Sequence, residues 1–146
     1  MRVKHLDHLN LSVASLAESI DWYRRVFGFE PMESGTYRGG PWTIVRCGDA
    51  LLCMYEHADR LHLDGDQLRA RRLHGLSHFG LRIDDREAWE RTVEREGLHL
   101  LYGGASRWKH STSWYLLDPT GYEIEVALWD DDRVHFDPAA ALAEAR

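Results

Sequence analysis

The sequence predicts an α+β protein built from two copies of one βαβββ module. Three observations lead to this fold class. The stretches LDHLNLSV and LSHFGLRI share a strand-like alternation of apolar residues, with one histidine in the same place. A helical pattern follows each stretch at nearly the same distance, and three strand-like runs follow each helical pattern. Because repetition at matched spacing indicates duplicated structural units, we expect two modules of one shape.

The first module starts with the strand that holds His8 and continues into a helix. Ser15 and Glu18 have the spacing of a capping box, apolar side chains recur at helical intervals, and Gly28 is a typical stop residue. Three strand-like runs follow, FEPMES, PWTIVRC and ALLCMYEH. The module therefore covers about residues 3–57.

The second module repeats this order from the strand that holds His78. An acidic cap at Asp84 or Asp85 starts its helix, and Gly97 ends it 19 residues after the histidine, compared with 20 residues in the first module. The strand-like runs that follow are LHLLYGG, SWYLLD and YEIEVALW. This module covers about residues 75–129.

A polar and charged stretch, about residues 58–74, lies between the modules and is typical of a linker or surface excursion. A tail, residues 130–146, follows the second module. A chain of 146 residues is long enough for one domain with a hydrophobic core but short for two independent ones. We therefore expect the modules to be halves of a single domain.

Composition excludes several classes of partner. The net charge of −6 and the lack of a basic stripe argue against nucleic acid. No apolar run approaches the ~20 residues that span a bilayer, and no signal peptide pattern is visible, so we expect no membrane partner and a cytoplasmic location. The two cysteines, Cys47 and Cys53, are too few for a disulfide scaffold and fit a reducing compartment.

Strand alternation separates the histidines from the core. Successive side chains of a strand point to opposite faces, so the apolar neighbours of His8 and His78 can pack under a helix while both histidines face away. The same argument places Glu125 of the last strand on the polar face. The predicted core-facing residues are Leu9, Leu11, Val13, Phe79, Leu81, Ile83, Ile124, Val126 and Leu128.

Two βαβββ modules with a histidine on each first strand resemble the vicinal oxygen chelate superfamily of glyoxalases, fosfomycin-resistance thiol transferases, extradiol dioxygenases and bleomycin-resistance proteins. A second motif, YLLDPTGYEIEV, is similar to a pattern of that family: an aromatic residue, two further residues, Asp-Pro-x-Gly, and a glutamate four residues after the glycine. In this chain that glutamate is Glu125. The resemblance covers roughly residues 3–129. It implies a curved mixed sheet that forms a cup around a divalent metal.

The resemblance implies three metal ligands: His8, His78 and Glu125. Strand parity agrees, because each of the three lies on the polar face of its strand. Two imidazoles and one carboxylate form a facial triad that leaves positions open for substrate or dioxygen and favours Fe(II). Mn, Ni, Co or Zn remain possible by ligand type.

A fourth ligand position is located by the repeat itself. Trp42 and Trp114 begin corresponding strands, and eleven residues further stand Cys53 and Glu125. Glyoxalase-type enzymes have a second glutamate where this chain has Cys53, whose thiolate could ligate but which is better interpreted as a small buried residue. Glu56 lies three residues after Cys53, an odd offset, so it points to the opposite face of the strand unless the strand bulges. We therefore predict a three-ligand site.

Two further residues are candidates for catalysis. Tyr115 stands ten residues before Glu125, the spacing of the tyrosine that contacts catecholate in extradiol dioxygenases. His110 is the candidate acid-base group, although its interval of five residues to Tyr115 is shorter than in those enzymes. The fosfomycin-resistance enzymes would have a threonine where this chain has Asn10.

These residues predict an enzyme that binds a small-molecule substrate through two neighbouring oxygens, with extradiol ring cleavage as the leading reaction. Thiol addition to an epoxide and isomerisation or epimerisation remain open. So does a different class, a metal-free binding protein of the bleomycin-resistance type. The resemblance further implies a homodimer.

Overall fold

The computed structural model describes residues 1–57, 59–131 and 133–135. These residues form two four-stranded sheets, with strand orders β1-β4-β3-β2 and β5-β8-β7-β6, and three helices. The α+β class and the βαβββ repeat are thereby confirmed. The elements are β1 Leu9–Val13, α1 Leu16–Phe27, β2 Glu30–Tyr37, β3 Gly40–Cys47, β4 Ala50–Glu56, α2 Gly65–Ala70, β5 Phe79–Ile83, α3 Arg86–Glu96, β6 Ser106–Arg107, β7 Ser111–Leu117 and β8 Glu123–Trp129.

Both sheets have the same pairing pattern. β1 pairs in parallel with β4 and β5 with β8, whereas the other neighbours are antiparallel. No hydrogen-bonded strand pair joins the two sheets within the described residues. None of the described helices has the length and apolar character that crossing a membrane requires. Most of the predicted tail, residues 136–146, lies outside the described part of the chain.

The two long helices begin and end where the sequence predicts. The side chain of Ser15 accepts a hydrogen bond from the Glu18 backbone at the start of α1, and Asp85 caps α3 in the same way. Gly28 (φ +72°) and Gly97 (φ +60°) end these helices in the left-handed conformation, which glycine adopts without a steric penalty.

Two elements differ from the prediction. The run LHLLYGG was predicted to be a strand, which is wrong because Tyr102, Gly103 and Gly104 all have positive φ and turn the chain. The strand in this place is the two-residue β6. The linker contains the short helix α2, whose capping box is formed by Asp64 and Gln67, a D-x-x-Q signal visible in the sequence.

Residues of both modules form one hydrophobic core. The helices meet at Phe27 and Trp89, whose rings stack with centroids 5.8 Å apart, and Trp89 contacts Trp114 of β7 edge to face at 6.3 Å. An ion pair between Arg25 and Glu96 joins the two helices at the surface. The predicted core-facing residues of both first strands and of β8 pack in or against this core, with Leu11, Val13, Ile124 and Val126 at most 1% exposed.

The Asp-Pro-x-Gly turn between β7 and β8 ties the second module to the first. Asp118 Oδ1 accepts hydrogen bonds from three backbone amides of its own turn, each 2.9 Å long. Its Oδ2 accepts one from the Tyr23 hydroxyl of α1 at 2.9 Å. Burial raises the pKa of the Asp118 carboxyl, while these hydrogen bonds favour its charged form. The turn is therefore both closed internally and anchored to the other module.

We predict that Tyr23→Phe lowers the free energy of unfolding by about 1–3 kcal/mol, because a buried carboxylate oxygen loses its partner across the modules. Urea denaturation monitored by circular dichroism measures the change. Tyr37→Phe is the matched control, since Tyr37 is 52% exposed and its hydroxyl makes no hydrogen bond among the described residues. A loss no larger than that of the control would show that this bond does not fasten the modules.

Candidate metal site

The site begins with the register of the second module's parallel strand pair. Gly80 of β5 lies opposite Glu125 of β8, and His78 comes just before β5 on the same face as Gly80. This register brings His78 Nε2 to 3.1 Å from Glu125 Oε2. Ser113 of β7 donates to the other carboxylate oxygen, Oε1, at 2.6 Å. The structure thus unites two of the predicted site residues and orients the carboxylate from both oxygens.

Tyr115 lies opposite Glu125 on β7 and completes this group. Its ring meets His78 edge to face, with centroids 5.8 Å apart. Burial raises the pKa of the Tyr115 hydroxyl, and the charge of Glu125 raises it further. The phenol therefore stays protonated over a wide pH range and can donate a hydrogen bond to an oxygen bound beside it.

A divalent metal fits the pair of His78 and Glu125 as two of its ligands. Nitrogen and oxygen ligands that lie about 2.1 Å from one ion, at right angles to each other, are about 3 Å apart. The observed separation of 3.1 Å is of this size. The Ser113 hydroxyl supplies the outer hydrogen bond that commonly orients a ligating carboxylate.

His8 is not part of this group. The described residues contain no cluster of three or more His, Cys, Asp or Glu side chains that could hold a metal ion. Instead, His8 Nδ1 lies 2.8 Å from Asp7 Oδ2. That contact favours the tautomer with hydrogen on Nδ1, which leaves Nε2 free to ligate, as in carboxylate–histidine–metal arrangements. Both histidine side chains are accessible, His8 being 45% exposed and His78 41% exposed.

The first module's equivalent of Glu125 is Cys53, as predicted. Cys53 lies opposite Asn10, two residues after His8, just as Glu125 lies opposite Gly80, two residues after His78. Burial raises the pKa of the Cys53 thiol, and the charge of Asp7 adds to this, so the neutral thiol is favoured over the ligating thiolate.

Trp42 and Trp114, which were predicted to occupy corresponding positions of the two modules, are not equivalent. The strand partners of Cys53 and Glu125 are Ile44 and Tyr115, nine and ten residues earlier. Trp114 is therefore buried in the core, whereas Trp42 stacks on Tyr55 on the polar face. Between these paired positions the second module's hairpin is one residue longer, and this difference compensated for the misalignment.

Glu56 has a structural contact at the other face of β4. Its Oε2 accepts a hydrogen bond of 2.7 Å from the backbone amide of Leu16, the first residue of α1. A carboxylate at a helix N-terminus satisfies a free amide and interacts favourably with the helix dipole. Strand parity thus directs Glu56 towards the helix, as the sequence predicts.

His110 lies at the start of β7 beside a different histidine. Its ring centroid is 5.3 Å from that of His135, and its backbone carbonyl accepts a hydrogen bond of 3.0 Å from Asp130. Among the described residues, no contact joins His110 to His78, Glu125 or Tyr115.

Three residues that contact the candidate ligands or Tyr115 were not predicted. Asp7 stands directly before His8 and contacts it. Ser113 shares the polar face with Glu125, two residues before Tyr115, so strand parity could have found it. Tyr102 contacts the Tyr115 ring edge to face at 5.3 Å, and only its unexpected turn places it there.

Comparisons with known proteins agree with the fold. The chain belongs to the glyoxalase/bleomycin resistance protein/dioxygenase superfamily, whose family profile matches residues 5–126. Its members share this vicinal oxygen chelate fold and commonly bind divalent metals.

Solved structures with the same fold cover most of the chain. A glyoxylase/bleomycin resistance protein/dioxygenase domain from Frankia sp. EAN1pec has a TM-score of 0.75 at 15% identity, covering 90% of this chain and 96% of its own. Lactoylglutathione lyase from Agrobacterium tumefaciens has a TM-score of 0.64 at 23% identity, covering 88% and 96%. The fosfomycin resistance protein FosX from Listeria monocytogenes, complexed with Mn(II) and sulfate, has a TM-score of 0.63 at 14% identity, covering 87% and 93%.

None of the curated proteins matches the sequence significantly. The solved structures are too distant in sequence to indicate more than the fold. The reaction must therefore be argued from the residues of this chain.

We predict that Glu56→Ala and Glu125→Ala separate stability from metal binding. Glu56→Ala removes a partner from the start of α1 and should lower the free energy of unfolding by about 0.5–2 kcal/mol while leaving metal affinity unchanged. Glu125→Ala should abolish metal binding. Urea denaturation and calorimetric metal titration of both variants test this, and equal loss of metal from both would assign Glu56 to the site.

Proposed function

We propose that the protein is a metal-dependent enzyme that acts on a small substrate bound through two neighbouring oxygens. The observation that supports this most directly is the pair of His78 and Glu125, 3.1 Å apart, with the protonated Tyr115 beside it. One sheet face thus carries two possible metal ligands, a hydroxyl that orients the carboxylate, and a phenol that can donate a hydrogen bond to substrate. Metal-assisted chemistry on bound oxygens needs groups of these kinds.

Each residue of the site has a proposed task. Asp7 and Ser113 hold His8 and Glu125 in the orientation that ligands require. Tyr115 donates a hydrogen bond to a substrate oxygen and so stabilises negative charge on it. A bound divalent cation, with Fe(II) favoured and Mn, Ni, Co or Zn possible, would supply Lewis-acid polarisation of the substrate oxygens.

The third ligand, His8, comes in this proposal from a second copy of the chain. β1 and β5 each lie at the end of their sheet, with one edge unpaired to another strand among the described residues. Every residue of β2 is exposed, including Met32 and Tyr37. Exposed apolar side chains on a sheet that also carries an accessible ligand fit a surface that a homodimer covers.

Ring cleavage of a catechol-type diol is the leading reaction. Tyr115 supports it, since a neutral phenol beside the ligand pair can contact a bound diol oxygen. His110, which a dioxygenase would use as its acid-base group, lies against His135 instead. This position favours a second class of reaction, isomerisation or thiol addition. The free thiols of Cys47 and Cys53 fit the cytoplasm as the compartment.

A mixing experiment tests whether the site forms between two chains. His8→Ala and His78→Ala each should lose metal binding when purified alone. In a heterodimer of the two variants, one site lacks both histidines and the other keeps both, because each site takes His8 from one chain and His78 from the other. Random pairing of co-expressed variants should therefore restore about a quarter of the wild-type metal content.

Elemental analysis of the unfractionated mixture measures this recovery, and heterodimers purified through two histidine-free tags should hold about half of the wild-type metal content, because one of their two sites is intact. Co-expression of His78→Ala with Glu125→Ala is the matched control, because these two residues belong to the same half of the site and no restored site can form. A site within one chain would give no recovery in either mixture, and that result would overturn the dimeric arrangement.

Oxygen uptake tests the reaction. The protein loaded anaerobically with Fe(II) should consume oxygen when a catechol-type diol and air are supplied and should form a yellow ring-opened product. Tyr115→Phe should slow turnover by about 10- to 100-fold without emptying the metal site, because one hydrogen bond to a charged group is lost. His110→Ala should slow turnover by about 100-fold or more only if His110 handles protons.

The alternatives have distinct outcomes in the same assays. Turnover of an epoxide with a thiol, or of a 2-oxo or 2-hydroxy compound, by a Mn(II) or Ni(II) form without any diol oxidation would replace the leading reaction with the second class. Failure to retain any metal, even in excess, would instead leave a binding protein of the bleomycin-resistance type.

A further inference from the structure

A cleft runs under the linker and extends to the candidate metal site. Two adjoining cavities of about 370 Å³ and 430 Å³ form it, and we call their union the linker cleft. Both volumes are within the usual range for sites of small organic ligands. The residues that line both cavities are Gly65, Leu68, Gly75, Leu76, Ser77 and Glu123.

One end of the linker cleft lies at the proposed metal ligands. His78 and Tyr102 line it there, and Tyr102 is 67% exposed although its ring contacts Tyr115. Glu123 also lines the cleft, and its carboxylate accepts a hydrogen bond of 2.9 Å from the Tyr102 hydroxyl. A molecule in the cleft can therefore reach the face of His78.

The other end presents the side-chain nitrogens of an arginine and a histidine, neither of which has an acidic partner among the described residues. The Arg60 guanidinium donates to the hydroxyl of Ser12 and forms no ion pair within the part of the chain that the structure describes. His62 lines the same cavity, and its buried Nε2 has no hydrogen-bond partner in the part of the chain that the structure describes. A buried polar atom without a partner is uncommon in folded proteins and calls for a ligand, a water or an ion.

Apolar side chains form part of the wall between these ends, beside the polar groups of Ser77 and Glu123. Leu63, Leu68, Leu76 and Tyr122 line the cleft, and Leu76 is 42% exposed. Large exposed apolar side chains inside a concave surface are typical of a binding site. The cleft thus combines a cationic end, an apolar patch at Leu68 and Leu76, and an end at His78.

We propose that Arg60 and His62 form an anion subsite in the linker cleft, which holds a carboxylate or phosphate group of a small amphipathic ligand. The apolar body of this ligand lies against Leu68 and Leu76. That the ligand is the substrate, with its neighbouring oxygens at His78 and Glu125, rests on the function proposed above. The subsite itself does not depend on a metal.

The chemistry of the two donors supports an anion over a neutral group. Arginine presents a planar set of donors that matches carboxylate and phosphate oxygens, and hydrogen bonds to a charged group are stronger than those between neutral groups. Ser12 and Tyr122 steady the arginine end, since the Tyr122 hydroxyl donates to the Ser12 carbonyl at 3.1 Å.

Binding to the metal-free protein tests the subsite by nuclear magnetic resonance of the histidine rings and backbone amides. The probes are phenylacetate, the neutral 2-phenylethanol of similar shape, and inorganic phosphate. Phenylacetate should bind saturably and shift His62 and the residues around Leu68, whereas 2-phenylethanol should bind much more weakly. Arg60→Gln and His62→Gln should each weaken phenylacetate binding by about 10- to 100-fold.

Arg46→Gln is the matched control, because this exposed arginine donates to the Gly48 carbonyl outside the cleft and its loss should leave binding unchanged. Phosphate that shifts the same residues, with the same dependence on Arg60, would support a phosphate-bearing ligand, and phosphate that has no effect would support a carboxylate. Equal binding of 2-phenylethanol, or full binding by Arg60→Gln and His62→Gln, would overturn the subsite.

The two proposals can fail separately. If Arg60→Gln loses phenylacetate binding but keeps its metal content, the subsite is supported. This holds whatever reaction the metal-loaded protein catalyses. In the metal-loaded protein, Arg60→Gln should raise the KM of an anionic substrate by a similar factor and leave kcat nearly unchanged, because Arg60 lies away from the reacting oxygens. A fall in kcat alone would contradict a binding role.

Discussion

Strand alternation is the constraint on which the whole structure depends. Each module must bury one face of its sheet, so buried residues such as Leu52 and Met54 of β4 and Ile124 and Val126 of β8 alternate along the central strands. The positions between them have no part in the core and can carry polar groups. The parallel pairing of β5 with β8 then determines which polar groups meet, and its register brings His78 and Glu125 together. A slip of one residue would send either side chain into the core.

The duplicated modules have divided their tasks unequally. The second module supplies a histidine, a carboxylate and a tyrosine to one face, whereas the first offers His8 and, in the position equivalent to Glu125, a protonated thiol at Cys53. Its nearest glutamate, Glu56, stabilises the start of a helix instead. Duplication thus gave two equivalent frameworks, and substitution left most of the chemistry on one of them.

Local signals predicted most of the fold. Caps such as Ser15 and Gly28 and the alternation around His78 act over a few residues, so a single sequence reveals them. The turn at Tyr102 was not predicted, because the apolar residues before it have the pattern of a strand. The positive φ angles of Tyr102, Gly103 and Gly104 become visible only in the structure. The neighbours of His110 depend on contacts across the fold, which spacing along the chain does not determine.

The core of this protein also has a spectroscopic consequence. Trp89 and Trp114 are at most 4% exposed and lie where α1, α3 and β7 meet, so their fluorescence depends on how the two modules dock. Trp42 stacks on Tyr55 on the polar face of the first sheet, and Trp108 is 54% exposed. Of the six tryptophans, the buried Trp89 and Trp114 should therefore contribute blue-shifted emission, and the exposed Trp108 should contribute red-shifted, readily quenched emission. The chain carries its own optical probes of module docking and of the surface proposed to meet a second copy.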